Sequence, residues 1–181
     1  MKITKIIGLI KKSKKLMFFE GKDCDWLSDG EEGIYPASHS KEASAVLICD
    51  MYDLDTSKIS VRNTVLPTAY NYADSCENEN LISKSEIEIV HKGEHLVAYE
   101  TSEGIDFVDK KYFAPFTDMD EAYLRVFERY TKDGDLYFAV KNGLELVGII
   151  LPAKVITKEF VEDIDAMSRA CTIALQNVKE E

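Results

Sequence analysis

Apolar residues at the start of the chain repeat at helical spacing and then fall into short runs. Four isoleucines follow the helical repeat in residues 1–13 with lysines off that stripe, which predicts a short amphipathic helix with a basic outer face. Three brief apolar runs, separated by Gly and Asp turns, then predict small strands at residues 16–21, 23–30 and 32–38.

A second helix is predicted next, followed by a long stretch without a repeat. Residues 38–52 begin with candidate Ser caps and carry apolar side chains at helical spacing, namely Ala43, Val46, Leu47 and Met51. Residues 53–85 are instead rich in Asn, Ser and acidic side chains. We interpret them as a long surface connection or an interdomain linker, held down locally by Tyr70 and Tyr72.

The second half of the chain has the pattern of strands joined by tight turns. Alternating residues predict a hairpin over residues 85–101, and residues 104–116 predict a short strand and one helical turn. A three-stranded meander is predicted over residues 123–151. Asn142-Gly143 is its clearest turn signal, because both central positions of a type I′ turn require positive φ.

The last predicted element is a long amphipathic helix over residues 156–178. Thr157 is a candidate N-cap, and acidic residues in the early turns complement the positive end of the helix dipole. The apolar stripe consists of Phe160, Ile164, Met167, Cys171 and Leu175. We expect this stripe to pack across the meander.

Together these elements predict an α+β fold of antiparallel meanders with helices packed on one face. We predict three parts: an N-terminal α/β module with a basic first helix in residues 1–55, a linker or long surface connection in residues 56–84, and a meander with a long C-terminal helix in residues 85–181.

Composition favours a soluble, cytoplasmic protein. With 181 residues, of which 45% are hydrophobic, the chain can bury a hydrophobic core and fold without disulfide bonds. The four cysteines lie far apart with no C-x-x-C pair, which favours reduced thiols over a zinc or redox site. The basic N-terminus lacks the apolar core and the cleavage site of a signal peptide, and no later run reaches the ~18 apolar residues of a membrane span, so we expect neither. We predict no cofactor.

Histidines give no recognisable metal pattern. His91 and His95 flank a turn and could face each other across the predicted hairpin, but no third ligand stands at a signature spacing. His39 is the third histidine of the chain. We interpret the pair as solvated turn residues and predict no metal site.

The carboxylate clusters do not indicate an enzyme, and no known catalytic motif occurs in the sequence. One acidic cluster resembles the start of a calcium loop but lacks the final Glu and the flanking helices; it consists of Asp23, Asp25, Asp29, Glu31 and Glu32. A second cluster, at residues 118–121, is typical of turn charge. The sequence carries no nucleophile elbow, phosphate loop or dinucleotide fingerprint. We predict a protein without catalytic activity, with an enzyme of unfamiliar type as the remaining alternative.

Basic residues are concentrated at the start of an otherwise acidic chain. The formal net charge is −11, yet six of the 22 Lys and Arg residues fall within the first fifteen positions, uninterrupted by acidic residues: Lys2, Lys5, Lys11, Lys12, Lys14 and Lys15. Such a face attracts phosphate, and each neutralised duplex phosphate adds roughly 0.9 to the salt slope of binding. The alternative is a solvated helix face on an acidic protein.

Residues 104–155 resemble the last module of bacterial-type DNA sliding clamps. The order GIDFVDKKYFAPF, YLRVFERY and LYFAVKNGLELVGIILPAKV follows that module: a strand, a Tyr-containing helical turn, another strand and a closing hairpin. Tyr112-Phe113 matches the family's helical Tyr-Leu position, and Leu151-Pro152 matches its terminal Leu/Met-Pro step. The chain departs from the family where a long helix follows the meander. The resemblance implies a clamp-like pair of modules.

The first half is similar to phage and prophage proteins in its segments WLSDG, at residues 26–30, and IYP, at residues 34–36. Together the two resemblances imply a non-enzymatic accessory protein of phage or prophage type. It would associate with the double-stranded DNA backbone through its first helix, without reading bases, and self-associate if it encircles DNA. The alternative function is an acidic interaction module that binds a host or phage protein without contacting DNA.

Overall fold

The computed structural model describes residues 1–38, 44–155 and 157–177, and in them ten strands form one sheet. The elements, in chain order, are α1 Ile3–Ser13, β1 Lys15–Glu20, β2 Asp25–Ser28, β3 Gly33–Ser38, α2 Ala45–Met51, β4 Ser60–Val65, β5 Asn80–His91, β6 Glu94–Thr101, β7 Gly104–Asp109, a 3-10 helix Lys110–Phe116, β8 Leu124–Tyr130, β9 Leu136–Asn142, β10 Glu145–Ile150 and α3 Lys158–Asn177. The predicted α+β class is confirmed.

The order of strands across the sheet is β4-β1-β2-β3-β10-β9-β8-β5-β6-β7. Strands β1 and β4 are parallel, and all other neighbours are antiparallel. Strand β5 pairs first with β8 and then with β6, and its register shifts between Lys84 and Glu88. The sheet is therefore mixed, although meanders make up most of it.

A helix followed by a three-stranded meander occurs twice. The first copy is α1 with β1, β2 and β3; the second is the 3-10 helix with β8, β9 and β10. The two meanders join where β3 pairs with β10, in the register Ile34 to Ile149. Read outward from that pair, the two meanders have matching strand orders, β3-β2-β1 and β10-β9-β8, as a twofold axis perpendicular to the sheet would give.

The helices of both motifs cover the same face of the sheet, which we call the front face. Residues of α1, α2 and the 3-10 helix share one core cluster with inward side chains of the strands. The apolar spacing noted in α2 did not mark its buried side: Val46, Leu47 and Met51 are exposed, and Ile48 and Cys49 are buried. Ala43 lies outside the described residues.

The segment 66–79 lies across the opposite face of the sheet, which we call the back face. Tyr70 and Tyr72 pack there on a second core cluster, and the Tyr72 ring lies 5.0 Å from that of Trp26. The Asn71 amide donates a 3.0 Å hydrogen bond to the Tyr137 hydroxyl. Residues 56–84, predicted as a linker or long surface connection, contain β4 and the start of β5. The division into three domains stays a prediction.

A buried ionic cluster joins this segment to the sheet. The guanidinium of Arg129 is fully buried, and it donates to the carbonyl oxygens of Asn71 and Ala73, each at 3.0 Å. It also donates to the Glu79 carboxylate, which in turn accepts from the ammonium of Lys141. Charge pairing thus replaces apolar packing at this part of the back face.

Helix α3 does not pack across the meander, so that expectation was wrong. Thr157 Oγ1 accepts from the Phe160 amide, as predicted for an N-cap. Phe160 packs against a small third cluster that includes Phe107 and Val155. From Val161 to Leu175 every residue is exposed. No helix in the described part of the chain is long and apolar enough to span a membrane.

The turn between β9 and β10 differs from the sequence expectation in its position and type. Asn142 pairs with Glu145 across the β9–β10 hairpin, so Gly143 and Leu144 form the turn. Gly143 has a φ of 63°, whereas Asn142 has no positive φ. This matches a type II′ turn, which needs positive φ at its first central residue only, and not the expected type I′ turn.

Candidate functional site

The exposed side of α1 is basic. Ile6, Ile10 and their apolar neighbours face the sheet, whereas Lys5, Lys11 and Lys12 lie on the solvent side of the helix. Gly8 lies between these lysines, and a Cβ added to it would meet no atom within 4 Å. We call Lys5, Lys11 and Lys12 the lysine face.

The other three predicted DNA-binding lysines, Lys2, Lys14 and Lys15, lie outside this face. Lys2 is the N-cap residue of α1, and its backbone amide donates a 2.7 Å hydrogen bond to the Pro115 carbonyl. Lys14 is the C-cap residue, with φ at 59°. Lys15 begins β1 and lines a back-face cavity of about 510 Å³. Side chains alternate along a strand, so Lys15 points away from α1.

The six lysines carry no compensating charge of the protein's own. All six are exposed, and none forms an ion pair with another residue within the part of the chain that the structure describes. Elsewhere, lysines such as Lys58, Lys84 and Lys111 do pair with carboxylates. The free ammonium groups of α1 therefore remain available to an external anion.

A charged cleft of about 540 Å³ adjoins the lysine face at the end of α1. Because α1 and the 3-10 helix run antiparallel, the end of one meets the start of the other beside the β5–β6 turn. The cleft is lined by basic and acidic side chains, including Lys12, Asp29, Glu31, Glu94, His95, Asp109, Lys110 and Lys111. Lys111 Nζ lies 2.9 Å from Asp109 Oδ2 and 3.8 Å from Glu31 Oε2.

Tyr112 connects the floor of this cleft to the core. Its hydroxyl lies 3.3 Å from Asp29 Oδ2 and 3.2 Å from Glu31 Oε2, and it accepts a 3.4 Å hydrogen bond from the Glu32 amide. Burial raises the pKa of Asp29. It also raises the pKa of Glu32 to about 7, while the charge of Lys111 opposes that rise. Glu32 can therefore take up or release a proton near neutral pH.

At the rim of the cleft, the Glu88 carboxylate contacts three basic side chains. Its carboxylate lies 2.7 Å from Lys84 Nζ, 2.9 Å from His95 Nε2 and 3.3 Å from Lys110 Nζ. The hydrogen bonds from Lys84 and Lys110 lower the pKa of Glu88 to about 2. This carboxylate is fully committed to ion pairs and is not a free proton donor.

The histidines do not approach each other. In the β5–β6 hairpin His91 pairs with Glu94 and Val90 pairs with His95, so the two imidazoles lie on opposite sides of the ribbon. The turn between them has two residues, Lys92 and Gly93, both with positive φ. His39 lies outside the described residues. No group of three or more His, Cys, Asp or Glu residues is placed to hold a metal ion in the described ranges.

Sequence reasoning found the lysines but missed the cleft. Asp29, Glu31 and Glu32 were considered only as a calcium loop, and Lys111 was not considered at all. These residues come together because the first motif's β2–β3 turn meets the start of the second motif's helix, a contact between distant parts of the chain. Nothing in the sequence signals this contact, because it depends on β3 and β10 being neighbours in the sheet.

Comparison of the sequence with protein-family models, with curated proteins and with solved structures finds no match.

Proposed function

We propose that this chain is a non-enzymatic DNA-associated accessory protein, of phage or prophage type, that holds the duplex backbone against its front face. The observation that carries the proposal is the lysine face: Lys5, Lys11 and Lys12 are exposed, share one side of α1 and have no ion-pair partner in the described residues. A protein with a net charge of −11 would otherwise repel phosphate.

The dimensions of the lysine face suit a phosphate backbone. Seven residues separate Lys5 from Lys12, which corresponds to ~10 Å along a helix at 1.5 Å per residue. Successive base pairs are ~3.4 Å apart, so this length spans about three of them. Lysine acts on phosphate as a mobile point charge, which favours binding by charge without base reading.

The repeated helix and meander motif supports a clamp-like build. Both helices lie side by side on the front face, and the Lys2 amide joins them through the Pro115 carbonyl. In the proposed arrangement this helical surface faces the duplex, and self-association of the chain completes the enclosure. The carboxylates of the charged cleft repel phosphate, so the duplex would follow α1 and avoid the cleft.

Salt-dependent binding to a fluorescent duplex tests the proposal. Conversion of Lys5, Lys11 and Lys12 to Gln should weaken binding at low salt and reduce the salt slope by about 2–3, because each phosphate contact contributes roughly 0.9. The matched control converts Lys15, Lys22 and Lys132 to Gln, which removes the same charge from exposed sites outside the lysine face. Two different duplex sequences should bind equally well.

Three results would contradict the proposal. The first is no binding of the wild-type chain even at low salt. The second is equal weakening by the control triple, which would indicate net charge alone. The third is an unchanged salt slope in the lysine-face variant.

A second function is favoured by the exposed side chains of α3. Val161, Ile164 and Met167 are 54%, 45% and 58% exposed, on a helix with acidic residues along its first half. An apolar stripe with an acidic border suits a protein partner. This function is an acidic interaction module without DNA contact, and it predicts that neither lysine variant changes partner binding.

A further inference from the structure

Helix α3 leaves one apolar side uncovered. Phe160 anchors its first turn to the sheet, and its ring lies 5.3 Å from that of His91. Beyond it, Ile164, Met167, Cys171 and Ala174 follow one another at intervals of three, four and three residues, and Leu175 lies next to Ala174. We call these five apolar residues the α3 stripe. All five are exposed.

The helix cannot draw its stability from the rest of the fold. It has 20 residues, and those from Val161 to Leu175 are exposed. In proteins most helical stability comes from packing an apolar side against another surface and not from helix propensity. The α3 stripe therefore needs a covering surface.

We propose that the α3 stripe packs against the α3 stripe of a second copy of this chain, with the two helices antiparallel. Alternating intervals of three and four residues are those of helices that pack along a shared seam. The stripe is complementary to itself, as a twofold interface requires. This proposal specifies the surface for the self-association that the proposed function needs, but it does not depend on DNA.

Charge selects the antiparallel arrangement. The first half of α3 carries Lys158 and four acidic residues, namely Glu159, Glu162, Asp163 and Asp165, whereas Arg169 is the sole charged residue from 166 to 177. A parallel pair would place the two acidic halves side by side. An antiparallel pair places each acidic half beside the partner's less charged half.

The position of the folded body agrees with this arrangement. Phe160 fixes the start of α3 to the sheet, so the body lies at one end of a helix that is ~30 Å long. In an antiparallel pair the two bodies occupy opposite ends and do not compete for space. The acidic border also disfavours an anionic membrane as the covering surface, because membrane-surface helices carry Lys and Arg beside their apolar side.

Analytical ultracentrifugation of the full chain tests the pairing. We expect the wild type to be a dimer at micromolar concentration, and Met167→Asp to raise the dimer dissociation constant by at least about tenfold, because a charge would be buried in the seam. Ile173→Asp is the matched control: Ile173 is 59% exposed on the same helix but points nearly opposite the stripe. It should leave the dissociation constant unchanged.

Cysteine crosslinking tests the direction. Antiparallel packing places position 167 opposite Cys171 of the other copy, so Met167→Cys should give a disulfide-linked dimer under mild oxidation, and adding Cys171→Ser should abolish it. A wild-type monomer, a dimer indifferent to Met167→Asp, or a wild-type Cys171 to Cys171 crosslink would each overturn the proposal. The lysine-face variant should dimerise normally, so loss of DNA binding and loss of pairing are separable.

Discussion

The Arg129 guanidinium is fully buried against Glu79, with Nε 2.8 Å from Oε2. Lys141 shares the same carboxylate. Glu79→Gln should therefore lower the free energy of unfolding by about 3 kcal/mol, because two buried cations would lose their counter-charge. Urea denaturation measures this change. Glu77→Gln, an exposed change in the same segment, should have almost no effect, and equal losses in both variants would refute the role of the ion pair.

Two tyrosines of the back face should respond oppositely to loss of their hydroxyl groups. Tyr72 Oη is buried without a hydrogen-bond partner among the described residues, so Tyr72→Phe should stabilise the protein by about 1 kcal/mol. Tyr137 accepts from the Asn71 amide, and Tyr137→Phe should destabilise it by about 1–2 kcal/mol. Thermal unfolding compares the two variants, and the same sign for both would contradict this account.

Glu32 should make stability depend on pH near neutrality. Its pKa is raised by burial from 4.5 to about 7, so the folded protein binds a proton that the unfolded chain has released. Stability from this group is present below pH 4.5 and is lost as the pH rises toward 7. Glu32→Gln should therefore match the wild type near pH 4.5 and exceed it by about 1–2 kcal/mol at pH 8. A constant difference between the two pH values would contradict the assignment.

Glu88 supplies the control of opposite sign. Its pKa is lowered from 4.5 to about 2, chiefly by the hydrogen bond from Lys84. The stability it contributes is present above pH 4.5 and is lost as the pH falls toward 2. Glu88→Gln should consequently destabilise the protein at neutral pH and not in strong acid.

Lys14 occupies a left-handed backbone conformation, with φ at 59°. Lys14→Gly should stabilise the protein by about 1 kcal/mol, because glycine adopts this conformation without the Cβ clash. Lys11→Gly removes the same charge from within α1 and should destabilise it by a similar amount. Chemical denaturation of the pair separates the backbone effect from the charge effect. Destabilisation by Lys14→Gly would contradict it.

The sequence alone predicted the helices and strands that have a strong hydrophobic pattern. The amphipathic α1, the three short strands after it and the meander of β8, β9 and β10 all lie within a few residues of their expected places. Helix α1 has a buried side at helical spacing, and β2, β9 and β10 are short buried apolar runs bounded by turn residues; both are patterns that a sequence reveals. Strand β4 was not predicted because it has no such pattern: Val61 is partly buried, and its other residues are exposed.

The hydrophobic pattern of the sequence could not predict how the elements pack against one another. The stripe of α3 was visible in the sequence, but a stripe does not reveal what covers it, and the meander was the wrong choice. The segment 66–79 was assigned to a linker because its polar residues bind the sheet by hydrogen bonds and charge, which leave no apolar repeat. The charged cleft was invisible because its carboxylates and Lys111 come from separate parts of the chain.

The pairing of β3 with β10 also constrains the order of folding. Strand β3 belongs to the first motif, but its partner is the last strand of the sheet to be synthesised. Until β10 is in place, β3 is an open edge with unpaired backbone groups, and such edges promote association between chains. Closing the sheet brings together distant parts of the chain, which is slow. We expect refolding yield to fall as protein concentration rises, and a yield independent of concentration would show that the edge is protected.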